Sequence, residues 1–353
     1  MKLVKIVLCL SLVLSPVMAE ACSRAVWTEE GEPVLTGRNM DWTVPMGTKL
    51  RLMSRGEKRT GLGGKNSLEW TSKYGSVVAT VWDNCTPDGM NEKGLVANLL
   101  YLSESNYGER DKTRPGLAIS LWAQYYLDNF ATVAEAVEAT RKINYQIVPI
   151  YLLQKDEKMA APIHISLSDA TGDSAIIEML DGKTVIHHGK EYSVMTNSPP
   201  YDEQLVLLKQ YAGLGGTKPL PGTSEAEDRF VRLAYYLTKL PEHPADYREA
   251  VAGMFSIMRN AATPIGFNNP EKPNISMTLW TCVSDSTDLI YYFEFTTLPN
   301  VVWVELKEVD IEEGSAQKVL DLLSLPDLSG NVSWDFSDAA SLDFAPGGAE
   351  IKQ

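Results

Sequence analysis

The chain has 353 residues, a formal net charge of −14, 44% apolar residues and 22% charged ones. That length and apolar share suit a globular protein with a sizeable core. The acidic balance argues against nucleic acid or an anionic membrane surface as a partner.

Residues 1–21 open with Lys2 and Lys5, run through the apolar stretch Ile6 to Val17 and end in Ala19-Glu20-Ala21. This is the layout of a secretory signal. The apolar run is about twelve residues, short of the roughly 20 that a spanning helix needs. Cleavage is expected between Ala21 and Cys22, giving a periplasmic or secreted protein. A lipoprotein signal also ends before a cysteine, but Glu20 beside Ala21 disfavours one, so no membrane anchor is expected. Loss of Lys2, Lys5 and Glu20 moves the net charge from −14 to −15 and leaves three of the four cysteines, Cys22, Cys85 and Cys282. An odd number in an oxidising compartment leaves at least one thiol free. Cys22 is the candidate; Cys85 and Cys282 either pair or stay as two buried thiols.

After Cys22, β-branched or alternating runs separated by Gly, Pro, Asn and Asp predict strands over Cys22 to Trp27, Pro33 to Arg38, Ser76 to Trp82 and Gly94 to Leu99. Leu117 to Phe130 and Val133 to Ile143 carry helical spacing, the second opened by Thr132 with Glu135 as a capping box. Strands resume at Ile163 to Ser168, Ser174 to Met179 and Lys183 to His187. Helices follow at Glu225 to Lys239 and Tyr247 to Asn260, then strands at Ser276 to Ser284, Leu289 to Thr296 and Val301 to Lys307. Runs of strands alternating with runs of helices indicate an α+β layered domain over residues 22–324. The Ser-, Asp-, Gly- and Pro-rich tail, residues 325–353, is expected to be loosely ordered.

No metal or organic cofactor is expected. The sequence has no C-x-x-C, H-E-x-x-H or EF-hand spacing, and His187 and His188, adjacent in a strand, point to opposite faces. Gly61 to Gly64 lacks the ending of a P-loop and reads as a turn. None of the four histidines stands in a recognisable nucleophile setting, so a Ser-His-Asp mechanism finds no support. An N-terminal cysteine, in contrast, carries its own base. Its α-amine has a reference pKa of about 8 and is partly neutral near pH 7, able to take the thiol proton. Sixteen residues on, Arg38 and Asp41 stand three apart after a strand. Arg38 would favour thiolate, and Asp41 could accept from the thiol or the α-ammonium.

These residues belong to a longer set: Cys22, Gly37 to Asp41, Asp88-Gly89-Met90-Asn91-Glu92-Lys93-Gly94-Leu95, Thr196-Asn197-Ser198-Pro199, Leu220-Pro221-Gly222 and Arg229-Phe230-Val231-Arg232. In that order they resemble the choloylglycine hydrolases, the penicillin V acylases and conjugated bile salt hydrolases among the N-terminal-nucleophile hydrolases, and the leader resembles their Gram-negative branch. The resemblance implies a four-layer αββα sandwich. It also implies hydrolysis of a linear amide C–N bond through a thioester, and a homotetramer. By position it makes Cys22 nucleophile and base, Arg38 and Asp41 its partners, Asn197 an oxyanion donor and Arg229 a charge that tunes the site. The second oxyanion position falls on Tyr101, with Asn98 the alternative if the alignment slips. Trp42, Trp82 and Tyr107 are expected, with Tyr101, to line an apolar acyl pocket. Penicillin V, conjugated bile salts and N-acyl homoserine lactones all remain open as small-molecule substrates, as does a non-catalytic role in holding a bile acid or lipid.

Overall fold

The computed structural model describes residues 22–142, 145–154, 157–267 and 276–352; the expected leader at 1–21 and the expected helix end at Ile143 lie outside them. Strand β1 (Ser23–Trp27) pairs antiparallel with β2 (Leu35–Asp41), Arg24 opposite Arg38. Directly opposed residues share a face, so both arginines point the same way. That way is inward: Arg24 donates to Leu167 O and Arg38 to Leu99 O, each at 3.0 Å, on a second sheet. Thr36 and Ser168 make a further bridge between the sheets, their hydroxyls 2.7 Å apart.

The first sheet runs in the order Val194–Met195, β1, β2, Thr278–Asp285, Ile290–Phe295, Val302–Glu305, Gly330–Asn331. The second has nine strands, with Ile163–Ser168, Val96–Tyr101, Cys85–Asn91 and Ser76–Val81 at its centre. Helices α1 (Trp122–Asn129) and α2 (Val133–Lys142) lie on the second sheet, and α4 (Ala226–Leu237) and α5 (Tyr247–Ala261) on the first, with the short α3 (Tyr201–Leu208) against α4. Gly37 shows how closely α5 approaches, for a Cβ there would stand 2.5 Å from Met258 Cγ. Helix, sheet, sheet, helix is the four-layer sandwich expected from the sequence. Half of the capping box at α2 forms as read, Thr132 Oγ1 accepting from Glu135 N at 3.3 Å, while the Glu135 carboxylate reaches one residue further back, to Ala131 N at 2.9 Å.

Three expectations change. The helix expected from Leu117 begins only at Trp122: Gly116–Ala118 is a strand paired parallel with Gln146–Val148, because a short buried apolar run serves either geometry. Cys85–Asn91, unread as a strand, is central, and its Pro87 is tolerated where the register against Ser76–Val81 slips. The tail from Leu325 is not loose. Gly330–Asn331 pairs with Val302–Trp303, Ser337–Asp338 with Lys318–Val319, and Glu350–Lys352 with Tyr151–Leu153. Val332, Leu342 and Phe344 are buried, giving this polar stretch enough apolar anchors to pack. Cys22, Cys85 and Cys282 are all buried free thiols. Among the described residues no helix is long and apolar enough to cross a membrane.

Candidate active site

Cys22 immediately precedes β1, which lies between the edge strand Val194–Met195 and β2 in the first sheet. Its nitrogen donates to Asn197 Oδ1 at 2.6 Å, joining residues 175 apart in the chain. Its sulfur has Arg38 Nη2 and Met40 Sδ each at 3.9 Å and the Asp41 backbone oxygen at 3.8 Å. Burial pushes the Cys22 thiol up, and the Arg38 guanidinium pulls it back. Arg38 is itself wholly buried, stacked 4.4 Å over the Trp280 ring and 3.9 Å from the Asp88 carboxylate.

The Asp41 carboxyl differs from its expected duty. It takes a hydrogen bond from Thr278 Oγ1 at 2.5 Å, with Arg229 Nη1 3.9 Å from its other oxygen; neither the thiol nor the Cys22 nitrogen donates to it. The reason lies in strand alternation. Arg38 and Met40 turn inward to the sulfur, so Asp41 turns toward the helix side, where a bulge at Thr278/Trp280 brings Thr278 to meet it. Burial raises the Asp41 carboxyl to about 7 against the opposing pull of Arg229.

Arg229, on α4, reaches the same point from outside the sheet. It donates to Cys22 O and Ser23 Oγ at 2.5 Å each and to Asn197 Oδ1 at 2.8 Å. Its guanidinium thus fixes the main chain that carries the sulfur. Asn197 Nδ2 donates to Tyr101 O at 2.8 Å, using one of its two hydrogens. The hydrogen bond from Leu102 N to Pro162 O makes Tyr101 and Ile163 a non-hydrogen-bonded pair. Tyr101 N–H and C=O therefore both point away from that neighbour, toward the side where Asn197 stands. Asn98, the alternative at this position, is engaged elsewhere: its Nδ2 donates to Asp88 Oδ2 at 2.7 Å between the sheets.

Beside the sulfur lies an apolar cavity of about 60 Å³, with Cys22, Met40, Trp42, Trp82 and Tyr101 among its lining. Trp82 meets Trp42 edge-on, ring centroids 5.7 Å apart, and adopts a left-handed φ of 53°, as does Asp83 at 51°. Such values are rare for a bulky residue and mark a wall held in place by its surroundings. Here the Trp82 N–H is tied to Met46 O at 2.8 Å, and Asp83 to Lys49 at 2.6 Å. Tyr107 is not a wall. Its hydroxyl braces the backbone of Ala161 and Ile163 at 2.8–3.2 Å, behind the cavity. Met46, Ile150 and Leu152 also belong to the apolar lining; nothing in their local sequence distinguished them from ordinary core. Among the described residues no three His, Cys, Asp or Glu side chains cluster in a way that would hold a metal.

A buried thiol, a guanidinium on its main chain and an amide within reach suit acyl transfer. Compared with known proteins, residues 22–325 match the family of linear amide C–N hydrolases, choloylglycine hydrolase family. A penicillin V acylase of Pectobacterium atrosepticum is 42% identical, across 95% of this chain and 93% of that protein. A bile salt hydrolase/transferase of Clostridium perfringens is 28% identical over 73% of this chain and 84% of its own. The solved penicillin V acylase of Agrobacterium tumefaciens superposes with a TM-score of 0.84 at 46% identity, covering 92% of this chain and 99% of that one. A conjugated bile acid hydrolase of Clostridium perfringens shares the fold at a TM-score of 0.70 and 24% identity, over 85% and 96% of the two chains. This chain belongs to the choloylglycine hydrolase family and is a linear amide C–N hydrolase.

Proposed function

We propose that removal of residues 1–21 on secretion to the periplasm or beyond turns Cys22 into an N-terminal nucleophile that cleaves amides with an apolar acyl group, penicillin V first among them. The observation that carries this reading is the place of Cys22 in the lining of an apolar cavity, with its own nitrogen held by Asn197. Once Ala21 is gone, that nitrogen is an amine. It takes the thiol proton as sulfur bonds to the carbonyl carbon, and it returns the proton to the leaving nitrogen as the C–N bond breaks. Water activated by the same amine then cleaves the thioester and frees the acid. The second Asn197 Nδ2 hydrogen and the Tyr101 N–H are the donors to the oxyanion. Arg38 biases the thiol toward thiolate, and Arg229 holds the Cys22 carbonyl.

Penicillin V takes precedence over bile salts because the relatives called penicillin V acylase are 42% and 46% identical, whereas the bile salt hydrolase/transferase is 28%. The test is a panel of penicillin V, glycine- and taurine-conjugated bile salts and long-chain N-acyl homoserine lactones, ranked by kcat/KM. A ranking led by bile salts or lactones would replace the substrate but not the nucleophile; no release of amine from any of them would overturn all three substrate readings. The family resemblance also suggests a homotetramer, which light scattering on the purified protein would measure.

A further inference from the structure

The turn that carries Asn197 is held from behind by groups that the proposed chemistry does not use. His164 and Glu178 are completely or almost completely buried on adjacent strands of the second sheet. His164 Nε2 lies 2.9 Å from Thr196 O, one residue before Asn197, and His164 Nδ1 lies 3.3 Å from Glu178 Oε1. The same Glu178 oxygen accepts from Tyr201 N at 3.1 Å, at the first residue of α3. Glu178 therefore grips both ends of the 196–201 segment, one directly and one through His164. His187 Nε2 stands 3.7 Å from the other Glu178 oxygen, its ring packed on Tyr201, and Asp202 lies 3.9 Å from His187 Nδ1.

A peptide carbonyl has no hydrogen to give, and neither has an ionised carboxylate. A neutral imidazole has one N–H and would leave the other nitrogen facing an acceptor, lone pair to lone pair. We propose that His164 donates from both ring nitrogens, forming a buried ion pair with Glu178 that positions the Asn197 amide against Cys22. Although burial opposes ionisation of Glu178, the hydrogen bond with His164, the nearby His187 ring and the Tyr201 N–H hold its carboxyl down at about 2, so Glu178 meets His164 as an acceptor. The two residues are positioning residues. Neither lines the cavity, and both act through the Thr196 carbonyl and the start of α3.

The positioning role rests on the reading of Asn197 as an oxyanion donor. It is tested with the ¹⁵N-labelled full-length processed protein, which has only four histidines to assign. Ring ¹⁵N–¹H spectra at pH 7 are expected to show His164 carrying a proton on both nitrogens; a bare nitrogen there overturns the proposal even if no variant folds. Glu178→Gln is expected to lower kcat on penicillin V by about 10–100-fold with KM within about twofold, the usual cost of a small misplacement at a reacting centre. A slow Asn197→Ala beside a full-rate Glu178→Gln sinks the positioning role alone. Both variants at full rate sink the Asn197 reading and the positioning role with it.

Discussion

Arg229 and Asn197, 32 residues apart, meet at 2.8 Å and converge on opposite ends of one residue: Arg229 on the Cys22 carbonyl, Asn197 on the Cys22 nitrogen. The backbone of the proposed nucleophile is thereby fixed at both ends. Only its side chain is left to turn toward the cavity.

Cys22→Ser should abolish or greatly weaken amide turnover while far-UV circular dichroism and thermal unfolding stay as in the wild type. Intact-mass measurement of the exported protein should find Cys22 unblocked at its start. Undiminished turnover of the serine variant, or a start at any other residue, would end the N-terminal-nucleophile reading.

Asn197→Ala is expected to keep substrate affinity but lose about 10²–10³ in kcat, the usual cost of an oxyanion donor. Single-turnover kinetics read the acylation step directly. A loss smaller than threefold would reduce Asn197 to a holder of the Cys22 nitrogen.

Asp41 links stability to pH. Its folded carboxyl titrates at about 7, above the unfolded value of 3.8, so the folded state holds this proton more tightly. The stabilisation is complete below pH 3.8 and is lost as pH rises through about 7. Asp41→Asn, which cannot ionise, should escape that loss. Relative to wild type it should gain stability between pH 4 and 8, by at most about 4 kcal/mol. Urea unfolding of both proteins at pH 5 and pH 8 measures it, and an equal difference at the two pH values would refute the assignment.

Trp82 combines an unfavourable backbone angle with a place in the cavity wall, so its replacement separates the two effects. Trp82→Gly relieves the left-handed φ and removes an aromatic face. KM for penicillin V should rise on the order of tenfold from lost apolar contact, while the thermal midpoint falls little. Unchanged KM would show that Trp82 does not touch the acyl group.

Deleting residues 340–353 should matter more than a polar tail would suggest. It removes the strand beside Tyr151–Leu153, whose Leu152 lines the cavity, and the Ala345 carbonyl that accepts from Ser120 Oγ at 2.6 Å. A lower thermal midpoint and a higher KM are expected; a variant equal to full length in both would restore the tail as dispensable.

Much of this protein is legible without coordinates. The alternation of Cys22 to Trp27 and the helical spacing of Tyr247 to Asn260 required strands and an amphipathic helix, because one face of each must be buried wherever it packs. The order of motifs from Cys22 to Arg229 was enough to identify the family. What sequence could not supply was partners. Periodicity says that Asp41 and Met40 face opposite ways, but only sheet register and a bulge decide that Asp41 meets Thr278, 237 residues on. In the same way, the second oxyanion position fell on Tyr101 with Asn98 as the alternative, and only tertiary structure has Asn98 donate to Asp88 and Tyr101 O accept from Asn197. The tail misled because its few apolar residues, Val332, Leu342 and Phe344, are spread among polar ones, and their burial depends on surfaces made by distant segments. Local sequence thus determined the main strands and helices and the chemistry that their residues carry. The stacking of two sheets decided which of them meet, since contacts between residues far apart in the chain exist only once every strand has its register.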